Sequence, residues 1–224
     1  MKSGTKRILM LVLLIFIGLA GVITVPKTTK ASDGSGYDGK IRKSATVLRQ
    51  YKSEKSKALI KIAKGKKVTV YYTSGKWRRI SYNGVYGFVP KEKVYISTKA
   101  PSLKGQSSKE KGKTVALFAQ RFKGNKYRYG KTDLNNGTDC SGFVRSVYKA
   151  FGYNLPRTSS EQRHVGRKVK KGKLQAGDII CYSGHVAIYI GNGRIVHAST
   201  RKTGIKISSN YRYRKIRSIR RIVK

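Results

Sequence analysis

Apolar and polar positions divide this chain into three stretches with different periods. Residues 8–17 are an unbroken apolar run, bracketed by Lys2, Lys6 and Arg7 on one side and by Gly18, Gly21 and Pro26 on the other. From residue 41 to 98 the pattern becomes short runs at 45–50, 59–62, 68–72, 77–82 and 85–89, broken at Lys64-Gly65, Thr73-Ser74-Gly75 and Asn83-Gly84. The Asn-Gly pair is the favoured two-residue hairpin turn, and five such strands predict a small barrel. In the third stretch Val115, Ala116, Leu117, Phe118, Ala119 and Phe122 suit a short amphipathic helix. Phe143, Val144, Val147 and Phe151 follow at helical spacing, stopped by Gly152 and Pro156, and Thr158-Ser159-Ser160-Glu161 fits a capping box that opens a short third helix or turn. Strand patterns then fill 178–182, 185–190, 194–198, 205–208 and 216–222. Helices followed by an antiparallel meander predict an α+β domain.

These periods set the expected organisation. Residues 1–31 read as a signal peptide, because a basic start, an apolar run and Thr29-Lys30-Ala31 form a small-x-small cleavage pattern after Ala31. An uncleaved anchor is the alternative, and only then is a membrane a partner. Residues 32–40 read as a Gly/Ser/Asp spacer, 41–98 as the small barrel, 99–112 as a linker and 113–224 as the α+β domain. On either reading of the N-terminus the chain is exported, and it is expected to be secreted, wall-associated and monomeric.

Charge adds a partner class. The net charge is +42, and loss of Lys2, Lys6, Arg7, Lys27 and Lys30 with the signal leaves +37. So basic a chain attracts polyanions. Without an arginine-rich recognition helix, an aromatic RNA-binding signature or a zinc finger, nucleic acid is not expected, and anionic wall polymers are the nearer partners. The basic residues are spread along the chain, as on an ordinary solvated surface.

The chemistry-bearing residues are few. Cys140 lies in Thr138-Asp139-Cys140-Ser141-Gly142-Phe143-Val144, where a polar loop turns into a helical pattern. The helix dipole and free amides there are expected to lower the thiol pKa, while Ser141 and Gly142 keep the turn small enough for a substrate backbone. Cys181, in Asp178-Ile179-Ile180-Cys181-Tyr182, suits a buried strand position, although two cysteines in an exported chain also admit a disulfide. His185 and His197 flank Asn192-Gly193. A two-residue loop would put Ile188 opposite His197 and the two imidazoles on opposite faces of the sheet. A three-residue loop, Gly191-Asn192-Gly193, would put Ala187 opposite His197 and both imidazoles on one face as diagonal neighbours. A nucleophile with a base and an orienter needs the second register. No metal is expected, because the ligand spacings are absent, and His164 reads as a surface residue. Trp77 suits the barrel core, with ligand contact by Trp77 or Tyr86 as the alternative.

Asp139-Cys140-Ser141-Gly142-Phe143-Val144, Leu155-Pro156-Arg157-Thr158-Ser159-Ser160-Glu161-Gln162, Gly177-Asp178-Ile179-Ile180, Gly184-His185-Val186-Ala187-Ile188-Tyr189-Ile190-Gly191 and Ile195-Val196-His197-Ala198 together resemble the NlpC-type cysteine peptidases of bacterial cell walls. Residues 76–89 resemble the closing hairpin of bacterial SH3-like domains, which implies binding to wall material. The first resemblance implies a papain-like α+β core that needs no cofactor, with Cys140 as nucleophile, His185 as general base and His197 as the residue fixing its tautomer. It also implies that Tyr127, Asp139 and Ser141 hold a peptidoglycan stem peptide, and that the amide cleaved joins D-γ-glutamate to the diamino acid. The family's Pro-Tyr-x-Trp-Gly-Gly is replaced here, with Lys126, Tyr129 and Lys131 at the variant positions. An amidase cutting between N-acetylmuramic acid and alanine, or a non-catalytic wall-binding adhesin, are the alternative functions.

Overall fold

The computed structural model describes residues 36–224; the signal-peptide expectation lies outside them. Seven strands form the N-terminal lobe: β1 (Tyr37–Ile41), β2 (Thr46–Arg49), β3 (Ala58–Ile62), β4 (Lys67–Ser74), β5 (Trp77–Tyr82), β6 (Val85–Pro90) and β7 (Val94–Ile96). Their order in one antiparallel sheet is β3-β2-β6-β5-β4-β1-β7. Alternation explains the core: Ile41, Leu48, Ile62, Val68, Val70, Ile80, Val89, Val94 and Ile96 point inward and are buried. The β5–β6 hairpin closes on Asn83 and Gly84, both at positive φ, with Tyr82 opposite Val85. That is the two-residue turn the Asn-Gly pair predicts.

Two expectations for this half need correction. Residues 37–40, read as spacer, form all but the last residue of β1, which sits between β4 and β7 and is masked in the pattern by its Gly and Asp content. Gly39 is required there, since a Cβ would lie 2.8 Å from Val70 Cγ2. Trp77 is only half buried at its strand end, whereas its neighbour Arg78 is 1 % exposed and occupies the core position.

The C-terminal lobe opens with α1 (Ser108–Gln120), which begins inside the segment read as linker. Its start is fixed by a full capping box in which Ser107 accepts from the Glu110 amide and Glu110 accepts from the Ser107 amide. A two-strand ribbon, β8 (Thr132–Asp133) and β9 (Gly137–Thr138), leads into α2 (Cys140–Lys149). The strands β10 (Arg167–Lys168), β11 (Ile179–Tyr182), β12 (His185–Gly191), β13 (Arg194–Thr200), β14 (Gly204–Ser208) and β15 (Ile216–Arg221) form an antiparallel sheet in the order β10-β15-β11-β12-β13-β14. Both helices pack on β12 and β13. Phe143, Val144, Val147 and Tyr148 form the buried stripe of α2, each large apolar side chain contributing roughly 1.5–3 kcal/mol by leaving water. This is the expected α+β class.

The lobes share a hydrogen-bonded interface. Asn135 acts as an extra strand partner for β7, accepting from Ile96 N at 2.8 Å and donating to Ile96 O at 2.9 Å. Arg78 Nη2 donates to Asn125 Oδ1 at 2.5 Å, Arg78 Nη1 donates to Val94 O at 2.7 Å, and Asn125 Nδ2 donates to Leu134 O. Tyr37 Oη reaches Arg121 O.

Candidate active site

Asp139 is the N-cap of α2, in extended conformation, and its carboxylate accepts from Gly142 N at 2.8 Å. The same carboxylate accepts from Gly130 N at 2.8 Å and takes a bidentate grip from Arg157 at 3.0 and 2.5 Å. Burial alone would raise its pKa, but the bonds from Arg157, Gly142 and Gly130 outweigh that and hold the carboxyl below its usual range. Ser141 is buried, and its hydroxyl accepts from Arg157 Nη1 at 3.0 Å. The missing side chain of Gly142 makes room for this loop rather than for substrate, because a Cβ there would lie 2.4 Å from Lys131 O.

Cys140 occupies the first turn of α2 and is partly exposed; both cysteines are free thiols, with Cys181 buried in β11 and donating to Gln162 O. The expected lowering of the Cys140 pKa is not what the environment gives. Burial pushes the thiol up and the Asp139 charge adds to that, against lowering by hydrogen bonds from the Val186, Ser141 and Cys140 amides. The helix N-terminus does favour an anion, but Asp139 already supplies one at the same end. At rest Cys140 is a thiol.

The two imidazoles meet. His185 Nε2 lies 2.7 Å from His197 Nδ1, with the rings at 79°, and His197 Nε2 lies 2.9 Å from Ser208 Oγ. Burial pushes His185 down to about 4, with the Arg214 charge adding, and His197 down to about 3, with the His185, Lys206 and Arg214 charges adding. Both rings are neutral at pH 7. Sheet register is what brings them together. Ile188 pairs with Val196, which sets Ala187 opposite His197 and leaves the two histidines diagonal on one face. The turn differs from the three-residue loop this register was expected to need. Asn192 and Gly193, both at positive φ, form a two-residue turn with Gly191 paired to Arg194, and a bulge between Tyr189 and Gly191 then shifts the ladder by one.

Aromatic rings line the histidines. Tyr182 stacks on His185 with centroids 6.0 Å apart, and the partly exposed Tyr213 meets His185 and His197 edge-on or tilted at 6.4 and 5.7 Å. Tyr127 is half buried and bridges to Thr138; burial raises its pKa first, then the neighbouring Cys140 and Asp139 charges. All the residues singled out in the sequence for this site therefore gather around the start of α2 and the β12–β13 hairpin, and His164 lies exposed elsewhere. Ser208, Tyr213 and Arg157 were missed as site residues. Register would have found Ser208, since Lys206 pairs with His197 and Ser208 is its same-face diagonal neighbour. Arg157 stood inside a quoted motif without a role. Tyr213 lies in an irregular segment with no pattern to read.

Known proteins bear on this geometry. Residues 124–221 match the NlpC/P60 family and residues 44–97 match the bacterial SH3 domain. A probable endopeptidase NlpC homolog of Haemophilus influenzae is 42% identical over 100 residues, covering 43% of this chain and 54% of that protein. The gamma-D-glutamyl-L-lysine dipeptidyl-peptidase of Bacillus subtilis is 27% identical over 210 residues, 83% of this chain and 67% of that one. The solved structure of NlpC1 from Trichomonas vaginalis superposes with a TM-score of 0.50 at 22% identity, over 84% of this chain and 69% of that one, a likeness of fold. The chain spans about half the length of the first curated relatives it matches.

Proposed function

From an NlpC/P60-type domain joined to a bacterial SH3 domain as premise, we propose that this protein is an exported cysteine peptidase that hydrolyses the D-γ-glutamyl–diamino acid amide of peptidoglycan stem peptides. The observation that carries the reading is the bonded His185–His197 pair on β12 and β13, the strands against which α2 packs with Cys140 in its first turn. With His185 Nε2 engaged by His197, its Nδ1 is the nitrogen left to act as base. That assigns the tautomers in sequence: His185 Nε2–H donates to His197 Nδ1, and His197 Nε2–H donates to Ser208 Oγ.

His185 Nδ1 takes the Cys140 proton as the sulfur attacks the scissile carbonyl, so the thiolate and imidazolium form together as substrate binds. The amides of Val186, Ser141 and Cys140, which already point at the sulfur, are the donors at hand for the developing oxyanion. The C–N bond then breaks and the amine leaves with the proton held by His185. Water, deprotonated by the same nitrogen, attacks the thioester, and Cys140 leaves as a thiol once the proton returns. Tyr127 is the substrate-facing member of the three expected binding residues. Asp139 and Ser141, whose polar atoms are engaged by Arg157, contribute through that arginine, which keeps part of its surface in solvent.

Support for the bond comes from the name of the Bacillus subtilis relative, a gamma-D-glutamyl-L-lysine dipeptidyl-peptidase. Support for export comes from the basic-then-apolar pattern of residues 2–31. Digestion of defined muropeptides read by mass spectrometry tests the reading. A new amino terminus on the diamino acid, lost in Cys140→Ala, is the expected result; a new amino terminus on alanine would make the enzyme an amidase, and no cleavage would leave a binding protein.

A further inference from the structure

Between the lobes lies a cavity of about 110 Å³ whose walls carry Arg42, Lys43 and Lys91 from the N-terminal lobe and Lys126 and Arg128 from the C-terminal lobe, with Glu92 as the acid among them. None of the five cations is in an ion pair among the described residues. Asp133, whose charge also reaches Arg42, has its oxygens occupied by the Asn135 and Asn136 amides and the Asn136 side chain. Val94 and Asn125 line the cavity, and behind them sits Arg78, 1 % exposed, held by Val94 O, Asn125 Oδ1 and Thr73 Oγ1 and by no carboxylate. A guanidinium buried without a counter-ion is rare, because desolvating a charge is costly unless an opposite charge repays it. Burial dominates here and lowers the Arg78 pKa to about 10, with Arg42 adding to the lowering and only Tyr37 and Glu92 opposing it from a distance.

We propose that this cavity binds one phosphate group, which supplies the counter-charge missing between the two lobes and ties them together. A cavity of this volume has room for a tetrahedral oxyanion. Cations from both lobes converge on one small space, as a single multivalent anion requires and a diffuse basic surface does not. Burial lowers the Lys91 pKa and the Arg78 charge lowers it further; Glu92 opposes them, and Lys126 and Lys76 add smaller lowering contributions. The site is independent of the peptidase assignment, since no proposed catalytic residue lines it. Phosphate could arrive free or as a phosphodiester of an anionic wall polymer, and the two sources share the recognised chemistry.

Calorimetric titration of the full chain tests the proposal, with inorganic phosphate and a glycerol-phosphate oligomer as probes and ionic strength held constant with chloride. The expected result is saturable binding of about one phosphate group per chain. Lys91→Gln with Lys126→Gln should weaken it by about tenfold or more, as loss of charge-assisted hydrogen bonds does. Lys170→Gln with Lys171→Gln, an equal loss of charge at exposed positions, should leave it unchanged. Lys43→Gln, on the exposed rim, should weaken it in the same direction without touching a core contact. Tighter binding of the oligomer assigns the source to wall polymer; equal affinity per phosphate assigns it to the free ion. Absence of saturation, or equal weakening by both double variants, would overturn the site in favour of general attraction by a +42 chain.

Discussion

The His185–His197 pair is buried and neutral, so on the proposed roles activity and stability rest on the same two side chains. Because burial holds their pKa values at about 4 and about 3 against an ordinary 6.5, the unfolded chain binds protons that the folded chain refuses. Stability is therefore full above about pH 6.5 and falls as the pH drops toward 4, by roughly 3 kcal/mol for His185 at most. Denaturant melts across this window should show the fall, and the double variant His185→Gln with His197→Gln should flatten it; an unchanged slope would mean the rings are protonated in the folded state. On activity the roles separate. His185→Gln should abolish turnover, while His197→Gln keeps a fraction, the losses falling within or beyond roughly 10²–10⁴. Ser208→Ala removes only the acceptor for His197, so kcat should fall by roughly three- to tenfold with a shifted pH profile, and Ser208→Thr should restore it. Identical pH profiles for wild type and Ser208→Ala would make that hydroxyl merely structural.

At the scale of elements, two Asn-Gly turns with the same local sequence logic have different consequences. In β5–β6 the ladder runs straight from the turn, with Tyr82 opposite Val85 and Ile80 opposite Gly87. In β12–β13 the bulge at Ile190 changes the parity of everything beyond it, and only that change puts both imidazoles on one face. Deleting Ile190 should produce a regular two-residue hairpin with His185 turned away from His197. The expected outcome is a chain with near-native circular dichroism and no measurable hydrolysis; retained hydrolysis would show that the pair tolerates the other register. The helix that carries Cys140 is fixed just as locally. Asp139 caps it, Gly142 lets the preceding loop approach, and Arg157 fastens the cap to the next segment.

At the scale of the molecule, the N-terminal lobe is more than a tethered module. Asn135 completes the edge of β7 with two bonds to Ile96, so Asn135→Ala leaves a buried amide and carbonyl unpaired and should cost about 1–3 kcal/mol, read as a lower denaturation midpoint. An unchanged midpoint would mean that water replaces the side chain. Removal of residues 36–98 should then lower activity on a soluble muropeptide as well as on intact walls, through loss of this shared interface. Activity on the soluble fragment that survives undiminished would restore a purely targeting role. Wall binding itself should weaken steeply with salt, because attraction by exposed charge is screened within about 8–10 Å at physiological ionic strength.

Much of this was legible in the chain itself. Period-2 and period-3.6 patterns located the long strands and α2, the Asn83-Gly84 turn followed from backbone sterics, and Cys140 at a helix start needed only its local sequence, because each depends on neighbours a few residues away. What failed locally was what depends on distant partners. β1 is a strand because β4 and β7 pair with it on both sides, against the Gly and Asp that mark residues 37–40 as spacer. The first turn of α1 hides in residues read as linker, since its polar face carries no periodic signal before Gly112 and Val115. The sequence allowed two registers for the β12–β13 hairpin, and only the bulge chose between them. The thiol pKa rises rather than falls because burial and the Asp139 carboxylate act through space at the same helix end where the dipole acts alone in a sequence argument. The buried Arg78 and the cations gathered near it are read from the sequence as ordinary surface charge; only the meeting of two lobes converts them into a site, because charge density depends on folded distances and not on spacing along the chain.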